Sequence, residues 1–549
     1  MSRRPKGIGS YVSFADGGAA ASASIVIEGL TTTGIGDGDA VYISGIDTVS
    51  KTDAANLSTA KFFGIGTSTA GSVQTSGIVD AAKFTTFGGK PANGEDVYLA
   101  LASVDSSTGA GKLSAIPPLG PAILSPMGIC LDNSNYALLK TCKVSIQAKP
   151  ILALGPPIPT ELTKITASNA FAGDRFGNAV SISGDTVVIG ASYTDGVPSD
   201  SGSAYILERN LGGSNNWGER IEITASDAAA SDFFSFQAVA IDGDTAVVGS
   251  AYHDSDKGAA YVFDRDLGGA DNWGEIKKLL ASDIFAGDRF GKVVSVDGDT
   301  VVVGAPYNDD NGSDSGSAYV FGRNKGGTDN WGEIKKLLAS DAAAGDRFGN
   351  SVSVDGDLAV VGAIYGSVGD IGSAYIFARN NGGTDNWGEV VKLSPADANE
   401  FGSSVSIDGD FIVVGAREVG SGGSPAAYVF ERNNGGPDNW GQVKKLVASD
   451  VGPSDDKFGN SVSISGDIVI VGAHQTDDDG VNSGSAYIFI RNEGGTDNWG
   501  EVAIITASDA AAGDNFGESV SVFGGFAIVG AANNDDAGTS SGSVYIFEF

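Results

Sequence analysis

The chain has 549 residues, which is too long for one ordinary domain, and 41% of them are hydrophobic, as in a globular protein. Its 81 glycines favour short strands and tight turns over long helices. Residues 1–150 hold 11 basic and 11 acidic residues, so the formal charge of −34 arises from the 23 basic and 57 acidic residues of the remaining chain. Such an acidic surface repels nucleic acid and anionic lipid, and it fits either cation-rich surroundings or simple solubility.

Residues 1–23 are expected to form an N-terminal arm. They contain basic residues but lack the apolar segment of a Sec-type signal peptide, so we expect no such signal. Arg3, Arg4 and Lys6 could thread onto a partner subunit, and a disordered tail is the alternative. The apolar runs of the chain are strand-sized, far short of the ~20 residues of a transmembrane helix, so we expect no membrane insertion.

Residues 24–148 indicate a compact β-sandwich or β-barrel. The predicted strands are 24–29, 39–45, 61–69, 71–79, 95–101, 127–132 and 142–151. Cys130 and Cys142 either pair across a hairpin or stay two buried free thiols, and we favour the second. Residues 149–160 form a proline-rich linker, which is semi-rigid and projects the C-terminal part of the chain away from its base.

A unit of four short apolar segments recurs after residue 160. In its third copy the segments are "FGKVVSV" (290–296), "TVVVGA" (300–305), "SAYVFGR" (317–323) and "WGEIKKLL" (331–338). Their Val, Ile, Tyr and Phe content and their Gly, Asp and Asn boundaries predict strands, and "DGD" predicts a tight hairpin between the first two. Six tryptophans mark the period: Trp217, Trp273, Trp331, Trp387, Trp440 and Trp499.

Seven copies can be counted, and the seventh lacks its fourth segment. The copies begin near Phe176, Ser235, Phe290, Phe348, Phe401, Phe458 and Phe516. Residues 161–174 align with residues 275–288, which contain a fourth segment, so the first strand of the array would complete the last copy. A ring closed in this way leaves no unpaired strand edge between the first and last copies. Residues 161–549 therefore predict an all-β, seven-bladed β-propeller.

The repeated phrases resemble FG-GAP repeats, the blade type of integrin α-subunit heads and of many bacterial proteins. The resemblance rests on the "FG" pairs, on the "VVGA" segments ("VVVGAP" at 301–306 matches fully) and on "GSAYVF" or a variant in every copy. Integrin-type blades often hold calcium in a D-x-D-x-D-G loop between the first and second strands. Here that loop is "SGD", "DGD" or "FGG", too short and too poor in oxygens for such a site.

Strand order predicts two faces for the ring. The 1–2 and 3–4 loops are nearly identical between copies, which indicates scaffold, whereas the 2–3 loops differ, which suits either recognition or neutral drift. The expected receptor-binding residues lie in these variable loops: Asp195, Asp200, Tyr252, Tyr307, Asp310, Tyr365, His474 and Asp535. Two of the loops share the pattern D-x-[DN]-G-x-[DN], which suits either Ca²⁺ or a solvated acidic turn: Asp309, Asn311 and Asp314, and Asp477, Asp479 and Asn482.

Catalysis has little support, and we expect a binding protein rather than an enzyme. The two histidines, His253 and His474, fall in separate copies, and each is expected in a solvated loop. No nucleophile motif, metal-ligand spacing or phosphate loop is recognisable. The recurring tryptophans and tyrosines are expected to pack within the blades, because they occupy fixed framework positions.

The phrases of residues 35–151 occur in an order that is similar to a β-domain of tailed-phage head fibres, spikes and tail fibres. They run "GDAVYIS", "STAKFFGIG", "SGIV", "GEDVYLA", "GKLSAIPP", "GICLD" and "VSIQAKPI". The resemblance implies a virion appendage, expected as a trimer, that attaches to other virion proteins through residues 1–150 and binds a host-surface glycan or protein through the propeller. A capsid decoration protein without a receptor and an exported bacterial adhesin are the alternatives.

Overall fold

The computed structural model describes residues 158–195, 198–366, 371–417, 425–436, 438–450 and 456–549, and the backbone of short strands before residue 146. The chain divides into two compact units, Met1–Leu154 and Gly155–Phe549. The predicted arm and most of the predicted linker lie outside the described residues, so the limits given above for the domains stay predictions.

The described backbone of the first unit contains seven strands in two antiparallel sheets. They are β1 (Ala40–Ile43), β2 (Val49–Lys51), β3 (Lys61–Ile65), β4 (Gly77–Asp80), β5 (Asp96–Val97), β6 (Gly128–Cys130) and β7 (Thr141–Ser145). One sheet has the order β2-β1-β3 and the other β4-β7-β6-β5. The predicted sandwich or barrel, and the pairing of the two cysteines, depend on residues and side chains outside the described ones.

The second unit consists of seven four-stranded antiparallel sheets, the blades. Its strands in chain order are β8 (Thr160–Ile165); β9 (Phe176–Ser183), β10 (Thr186–Ala191), β11 (Ser203–Arg209) and β12 (Trp217–Ile223) of blade 1; β13 (Val239–Asp242), β14 (Thr245–Ser250), β15 (Ala259–Asp264) and β16 (Gly274–Leu279) of blade 2; β17 (Val293–Asp297), β18 (Thr300–Ala305), β19 (Ser317–Gly322) and β20 (Gly332–Leu337) of blade 3; β21 (Phe348–Asp355), β22 (Leu358–Ala363), β23 (Ser373–Ala378) and β24 (Gly388–Leu393) of blade 4; β25 (Phe401–Asp408), β26 (Phe411–Ala416), β27 (Ala426–Arg432) and β28 (Trp440–Leu446) of blade 5; β29 (Ser461–Ser465), β30 (Ile468–Ala473), β31 (Ser485–Ile490) and β32 (Gly500–Ile505) of blade 6; and β33 (Ser519–Phe523), β34 (Phe526–Ala531) and β35 (Ser543–Glu548) of blade 7. One helical turn, α1 (His253–Asp256), lies in the 2–3 loop of blade 2. Among the described residues, no helix is both long and apolar enough to span a membrane.

The ring closes through its first strand. Strand β8 pairs antiparallel with β35, with Lys164 opposite Tyr545, and so supplies the fourth strand of blade 7. Blade 7 is also joined to blade 1, where Phe176 forms a parallel bridge with Gly542. The predicted seven-bladed all-β propeller and its closure by an N-terminal fourth strand are confirmed.

The core of the propeller lies within and between the blades. Strands 2 and 3 of each blade are buried along almost their whole length, and one apolar cluster joins blade 3 to blade 4. Within blade 4, Phe348 of the FG pair meets Tyr375 of strand 3 edge-on, with ring centroids 5.4 Å apart. Trp387 before strand 4 is 1% exposed. The expected packing role of the repeated tryptophans and tyrosines is confirmed.

The two signature glycines of the repeat set the spacing between neighbouring blades. A Cβ on Gly304, in "VVGA" of blade 3, would lie 2.1 Å from the carbonyl oxygen of Gly349, in "FG" of blade 4. A Cβ on Gly349 would lie 2.2 Å from the carbonyl oxygen of Ser317, and Gly349 has φ +89°. Glycine adopts a left-handed backbone at such a close approach without the strain that a Cβ would add. In blade 2, Ser235 takes the FG glycine's place and donates a hydrogen bond to the Ser203 carbonyl (2.7 Å).

A series of serine hydrogen bonds joins the innermost strands around the ring. The Ile407 N–H of blade 5, for example, donates to Ser353 Oγ of blade 4 at 3.1 Å. The same bond links five other neighbouring pairs, through Ser181, Ser295, Ser406, Ser463 and Ser521. In blade 2, Ala240 stands at the serine position, and Val296 N–H of blade 3 has no such acceptor among the described residues. These bonds satisfy strand edges that the β-ladders leave open.

A second repeated contact joins strands 3 and 4 to the loop between blades. In blade 3, the Tyr319 hydroxyl donates to Asp283 Oδ1 (2.9 Å) and Lys336 Nζ donates to Asp283 Oδ2 (2.8 Å). Burial disfavours the charged Asp283 carboxylate, but the bonds from Lys336 and Tyr319 outweigh it and lower its pKa. The same three residue types meet in four further blades, through Asp227, Asp341, Asp397 and Asp509.

Candidate functional site

The 2–3 loops and the loops between successive blades lie on one face of the propeller, which we call the mouth face. The Arg347 N–H donates to the Asp314 carbonyl and the Phe348 N–H to the Ser315 carbonyl, both at 3.0 Å, so each interblade loop is tied to the preceding 2–3 loop. The 1–2 and 3–4 loops form the opposite face, which we call the hairpin face. The predicted division of the loops between two faces is confirmed.

Eight half-buried side chains on the mouth face of blades 1–4 form a continuous series of contacts, the arginine–aromatic arc. Its members in order are Arg175, Tyr193, Phe233, Tyr252, Arg289, Tyr307, Arg347 and Tyr365. The guanidinium carbons lie 4.6–5.1 Å from the tyrosine centroids. Arg289 contacts the rings of both Tyr252 and Tyr307. These distances are those of cation–π contacts.

The arginines of the two faces have different partners. On the hairpin face, Arg323 Nε lies 2.7 Å from Asp299 Oδ1. Other arginines of that face are also paired with aspartates: Arg209, Arg265, Arg379, Arg432 and Arg491. In the arc, by contrast, Arg175 and Arg347 form no ion pair with any carboxylate that the structure describes. Two of the three arc arginines therefore lack the direct aspartate partner that the hairpin-face arginines have, although the charge of Glu518 lies near Arg175.

The arc borders the opening of the central channel. One polar residue from the start of each innermost strand lines this opening, and we call the set the mouth ring: Asn178, Gln237, Lys292, Asn350, Ser403, Asn460 and Glu518. The enclosed cavity has a volume of about 280 Å³. Phe236 connects ring and arc, because Lys292 Nζ lies 4.9 Å above its centroid and the Tyr252 centroid is 5.9 Å away. We call the mouth ring and the adjoining arc together the basin.

Two ionisable groups of the mouth ring have shifted pKa values. Burial, together with the positive charges of Arg289 and Arg417, lowers the pKa of Lys292 to about 8, while the charge of Glu518 opposes the shift. Burial raises the pKa of Glu518, against the attraction of Arg175 and Lys292. Lys292 also donates a hydrogen bond to the Gln237 amide oxygen. A half-buried lysine beside two arginines indicates a place where an anion would relieve repulsion.

A larger cleft lies on the hairpin face, between blades 4 and 5. Its volume is about 850 Å³, and Asp357, Arg379, Arg432 and Asp438 are among its lining residues. Its charges are already matched, since Arg379 lies 3.1 Å from Asp357 and Arg432 lies 2.7 Å from Asp438. The mouth-face basin is therefore the better candidate site, although it is smaller.

The structure divides the sequence-predicted receptor residues into two groups. Tyr252, Tyr307 and Tyr365 belong to the arc. The four aspartates lie further out on the same face: Asp195, Asp200, Asp310 and Asp535. Two of them stabilise their own loops, since Asp195 Oδ1 accepts the Asp200 N–H (3.2 Å) and Asp535 Oδ1 accepts a loop N–H (2.7 Å). Asp310 pairs with Lys336.

His474, the last predicted receptor residue, is half-buried and adjoins the channel opening in blade 6. Its Nδ1 has no hydrogen-bond partner among the described residues. Burial, together with the charges of Arg417 and Lys457, lowers its pKa to about 4, so the imidazole is neutral at physiological pH. The expectation of a solvated loop is wrong for this histidine, because burial dominates its environment.

His253 was also expected in a solvated loop, and that expectation is wrong too. Its side chain is 12% exposed, and Nδ1 lies 2.8 Å from Asp232 Oδ2. Nε2 lies 2.8 Å from Lys278 Nζ, which in turn contacts Asp227. The histidine thus extends the tyrosine–aspartate–lysine contact of blade 2, a network that the sequence pattern did not reveal.

The two loops predicted to bind calcium use part of their oxygen set internally. Asp309 Oδ1 accepts the Asp314 N–H and Asp477 Oδ1 accepts the Asn482 N–H, both at 2.8 Å. The Asn311 N–H donates to a serine hydroxyl at 3.2 Å, and so does the Asp479 N–H. Among the described residues, no group of three or more His, Cys, Asp or Glu side chains is placed to hold a metal ion. Calcium binding by these mixed aspartate and asparagine loops stays a prediction.

The arginines of the basin were missed by reasoning from sequence. Arg175, Arg289 and Arg347 lie in the phrase "DRFG", just before the FG pair, a position to which the sequence analysis assigned no role. A usable signal was present, because the residue before the FG pair is Arg in three copies and Phe, Glu, Lys or Asn in the others. A position that varies inside a fixed phrase points away from a purely structural role.

One family of known proteins matches this architecture. The model of the FG-GAP repeat matches residues 159–207, 217–263, 273–321, 331–377, 387–430, 440–489 and 499–547. Each matched segment begins with the fourth strand of one blade and ends with the third strand of the next, so the first segment contains the closing strand. No curated protein matches the chain. The seven matched segments cover well over half of the sequence, and the chain belongs to the FG-GAP repeat family.

Proposed function

We propose that the chain is an appendage of a tailed-phage particle whose propeller binds a glycan on the host surface. Residues 1–150 would attach it to other virion proteins, and the assembled appendage would be a trimer. It would act as a binding protein without a catalytic step. A β-propeller of FG-GAP repeats suits a binding or adhesion role, and the phage setting rests on the resemblance of the N-terminal phrases.

The observation that carries the binding role is the arginine–aromatic arc, a continuous half-buried series of guanidinium and aromatic groups on the mouth face. Tyr307 lies between Arg289 and Arg347, with guanidinium carbons 4.6 and 4.9 Å from its centroid. Rigid aromatic side chains beside arginine are typical of binding hot spots, because they bury much area at little entropic cost. Pyranose rings present apolar C–H faces that pack on such aromatic rings.

The test is saturable binding of the labelled full chain to intact cells of candidate hosts. We expect Tyr307→Ser to weaken binding about tenfold or more, as hot-spot truncations do. The matched variant is Phe523→Ser, which removes a 42% exposed aromatic ring from the hairpin face and should leave binding unchanged. Equal losses in both variants, or no saturable binding to any host, would contradict the proposal.

Two additional measurements test whether the chain belongs to a phage particle and whether its binding needs calcium. Mass spectrometry of purified phage particles should find the chain among the virion proteins, and its absence would favour the adhesin alternative. Cell binding repeated in EDTA tests the two calcium loops. Loss of binding in EDTA would support calcium, whereas unchanged binding would remove calcium and leave recognition intact.

A further inference from the structure

We propose that the basin of the arc and the mouth ring binds a saccharide that carries a carboxylate group. The inference rests on the proposed function and specifies its ligand: the receptor glycan is acidic, and its carboxylate lies at the arginines.

The first argument is the placement of charge. The chain has a formal charge of −34, yet Arg175, Arg289 and Arg347 gather on one face, where each carbonyl accepts a backbone hydrogen bond from a mouth-ring residue, and Lys292 adds a fourth positive charge against the single carboxylate of Glu518. The described carboxylates leave Arg175 and Arg347 unpaired, and Arg289 has a long ion pair of 3.5 Å with Asp256. Gathered like charges in a half-buried cavity are unfavourable until an anion joins them.

The second argument is the geometry of the arginines. Each guanidinium of the arc lies within 5.1 Å of the centroid of one or two tyrosine rings, which restricts its position, and a guanidinium group carries its N–H donors in a rigid fork. A planar carboxylate accepts two parallel hydrogen bonds from such a fork. The neighbouring aromatic faces would then contact the sugar ring that bears the carboxylate, so that charge and ring are recognised at adjacent points.

The third argument favours an isolated carboxylate over a polyanion. The arc has only three arginines, spread over blades 1, 3 and 4, and the channel cavity beside it, of about 280 Å³, is too small for a nucleic-acid duplex. Outside the basin, the mouth face carries exposed aspartates such as Asp195 and Asp535. These aspartates repel a densely charged polymer, whereas a mostly neutral glycan with separated acidic residues can enter.

The test uses surface polysaccharide purified from cells that bind the full chain. One sample stays native, and in the other the carboxyl groups are reduced to alcohols. We expect carboxyl reduction to weaken binding about tenfold or more, in line with the loss of a bidentate arginine contact. We also expect methyl glucuronide to compete at millimolar concentration and methyl glucoside not to compete.

Matched arginine variants separate ligand binding from folding. Arg347→Gln, in the arc of blade 4, should weaken binding to native polysaccharide about tenfold and to the reduced sample far less. Arg379→Gln, in the hairpin face of the same blade, should leave both unchanged. If Arg347→Gln lowers the melting temperature, Arg347→Lys keeps the charge without the fork and should still show a reduced native-to-reduced affinity ratio.

The results distinguish failure of the acidic-ligand inference from failure of the proposed glycan-binding function. Equal binding of native and reduced polysaccharide would overturn the acidic ligand and leave the proposed glycan receptor standing. Binding to cells that survives removal of all glycan would overturn both, and would point to a protein receptor. Arginine variants that lower thermal stability without changing the affinity ratio would assign the arc a structural role alone.

Discussion

The two faces of the propeller are built from the same repeats but use their arginines differently. On the hairpin face, Arg323 is paired with Asp299, and five other arginines have aspartate partners as well. On the mouth face, Arg347 lies between two tyrosine rings and has no described carboxylate partner. Balanced charges of a repeat stabilise the scaffold, whereas unbalanced charges mark the surface where a ligand is expected.

The mouth face is also chemically uneven around the ring. The position before the FG pair carries Arg in blades 1, 3 and 4, Phe in blade 2, Glu in blade 5, Lys in blade 6 and Asn in blade 7. All seven residues have a left-handed backbone, with φ from 47° to 59°. The strained conformation is therefore a property of the turn and does not depend on which side chain is present. What differs between blades is the side chain presented there, and under the proposed function a ligand would lie over blades 1–4, off the ring axis.

The largest expected difference between the faces concerns two glycines of blade 4. Gly349 lies in the seam beneath the mouth face, and Gly356 lies in a hairpin-face turn with nothing within 4 Å of a Cβ position. We expect Gly349→Ala to lower the free energy of unfolding by about 4 kcal/mol or to prevent folding. Gly356→Ala should cost about 1 kcal/mol, the effect of left-handed backbone alone.

Thermal or urea unfolding of the full chain measures both variants. Because both glycines have positive φ, the difference between the two isolates the close approach of Gly349 to Ser317 of the neighbouring blade. Similar losses in the two variants would show that backbone conformation, and not interblade contact, explains the signature glycines.

The next prediction compares one aspartate from each face of blade 3. Asp283 accepts bonds from Tyr319 and Lys336, whereas Asp299 is 69% exposed and pairs with Arg323. We expect Asp283→Asn to cost about 1–2 kcal/mol of unfolding free energy at pH 7. Asp299→Asn should cost less than about 1 kcal/mol, as exposed ion pairs do.

The cost of Asp283→Asn should depend on pH. The folded pKa of Asp283 is lowered, so its stabilisation is present above the unfolded pKa of about 3.9 and is lost as pH falls through the lower folded value. Denaturant unfolding between pH 7 and pH 3 should therefore show the wild type approaching the variant at the acidic end. A difference that stays constant over this range would contradict the lowered pKa.

The sequence was enough to predict the propeller because every blade repeats the same local signals. Strand 2 of blade 3 was predicted at residues 300–305 and found at Thr300–Ala305, and strand 4 was predicted at 331–338 and found at Gly332–Leu337. Closure could be inferred because the missing segment of the last copy is present before the first. Periodicity, hairpin signals and a count of segments carry this information without any long-range contact.

The basin could not be predicted in the same way, because it depends on contacts between blades. Arg289 meets Tyr252 and Tyr307, residues of two different 2–3 loops, and only the packing of blade 2 against blade 3 makes them neighbours. His253 was misjudged for the same reason, since its partners are supplied by the interblade loop and strand 4. A sequence pattern shows which residues share a blade, but not which charges remain unpaired after folding.

A smaller effect, on ligand affinity, is expected from Lys292. Its positive charge belongs to the basin, whereas the charges of the hairpin face are paired. Burial, with Arg289 and Arg417, lowers its folded pKa to about 8, and Glu518 opposes this shift. Lys292 should lose its positive charge as pH rises through about 8, so affinity for an anionic saccharide should fall severalfold between pH 7 and pH 9. Titration calorimetry with native surface polysaccharide measures this affinity at each pH.

Lys292→Met should abolish the fall in affinity between pH 7 and pH 9. A fall that persists in this variant would be due to the titration of another group.

The smallest effect concerns the innermost strands, which lie between the two faces. Ala240 interrupts the series of serine bonds, and Ala240→Ser should supply an acceptor for the Val296 N–H and raise the unfolding free energy by about 0.5–1 kcal/mol. The reverse change, Ser353→Ala, removes the acceptor of the Ile407 N–H (3.1 Å) and should cost a similar amount. Because both changes lie away from the arc, cell binding should not change in either variant. An unchanged unfolding free energy in Ser353→Ala would mean that the close glycine contacts and apolar cores hold the ring without the serine bonds. Ala240 of blade 2 would then cost no stability.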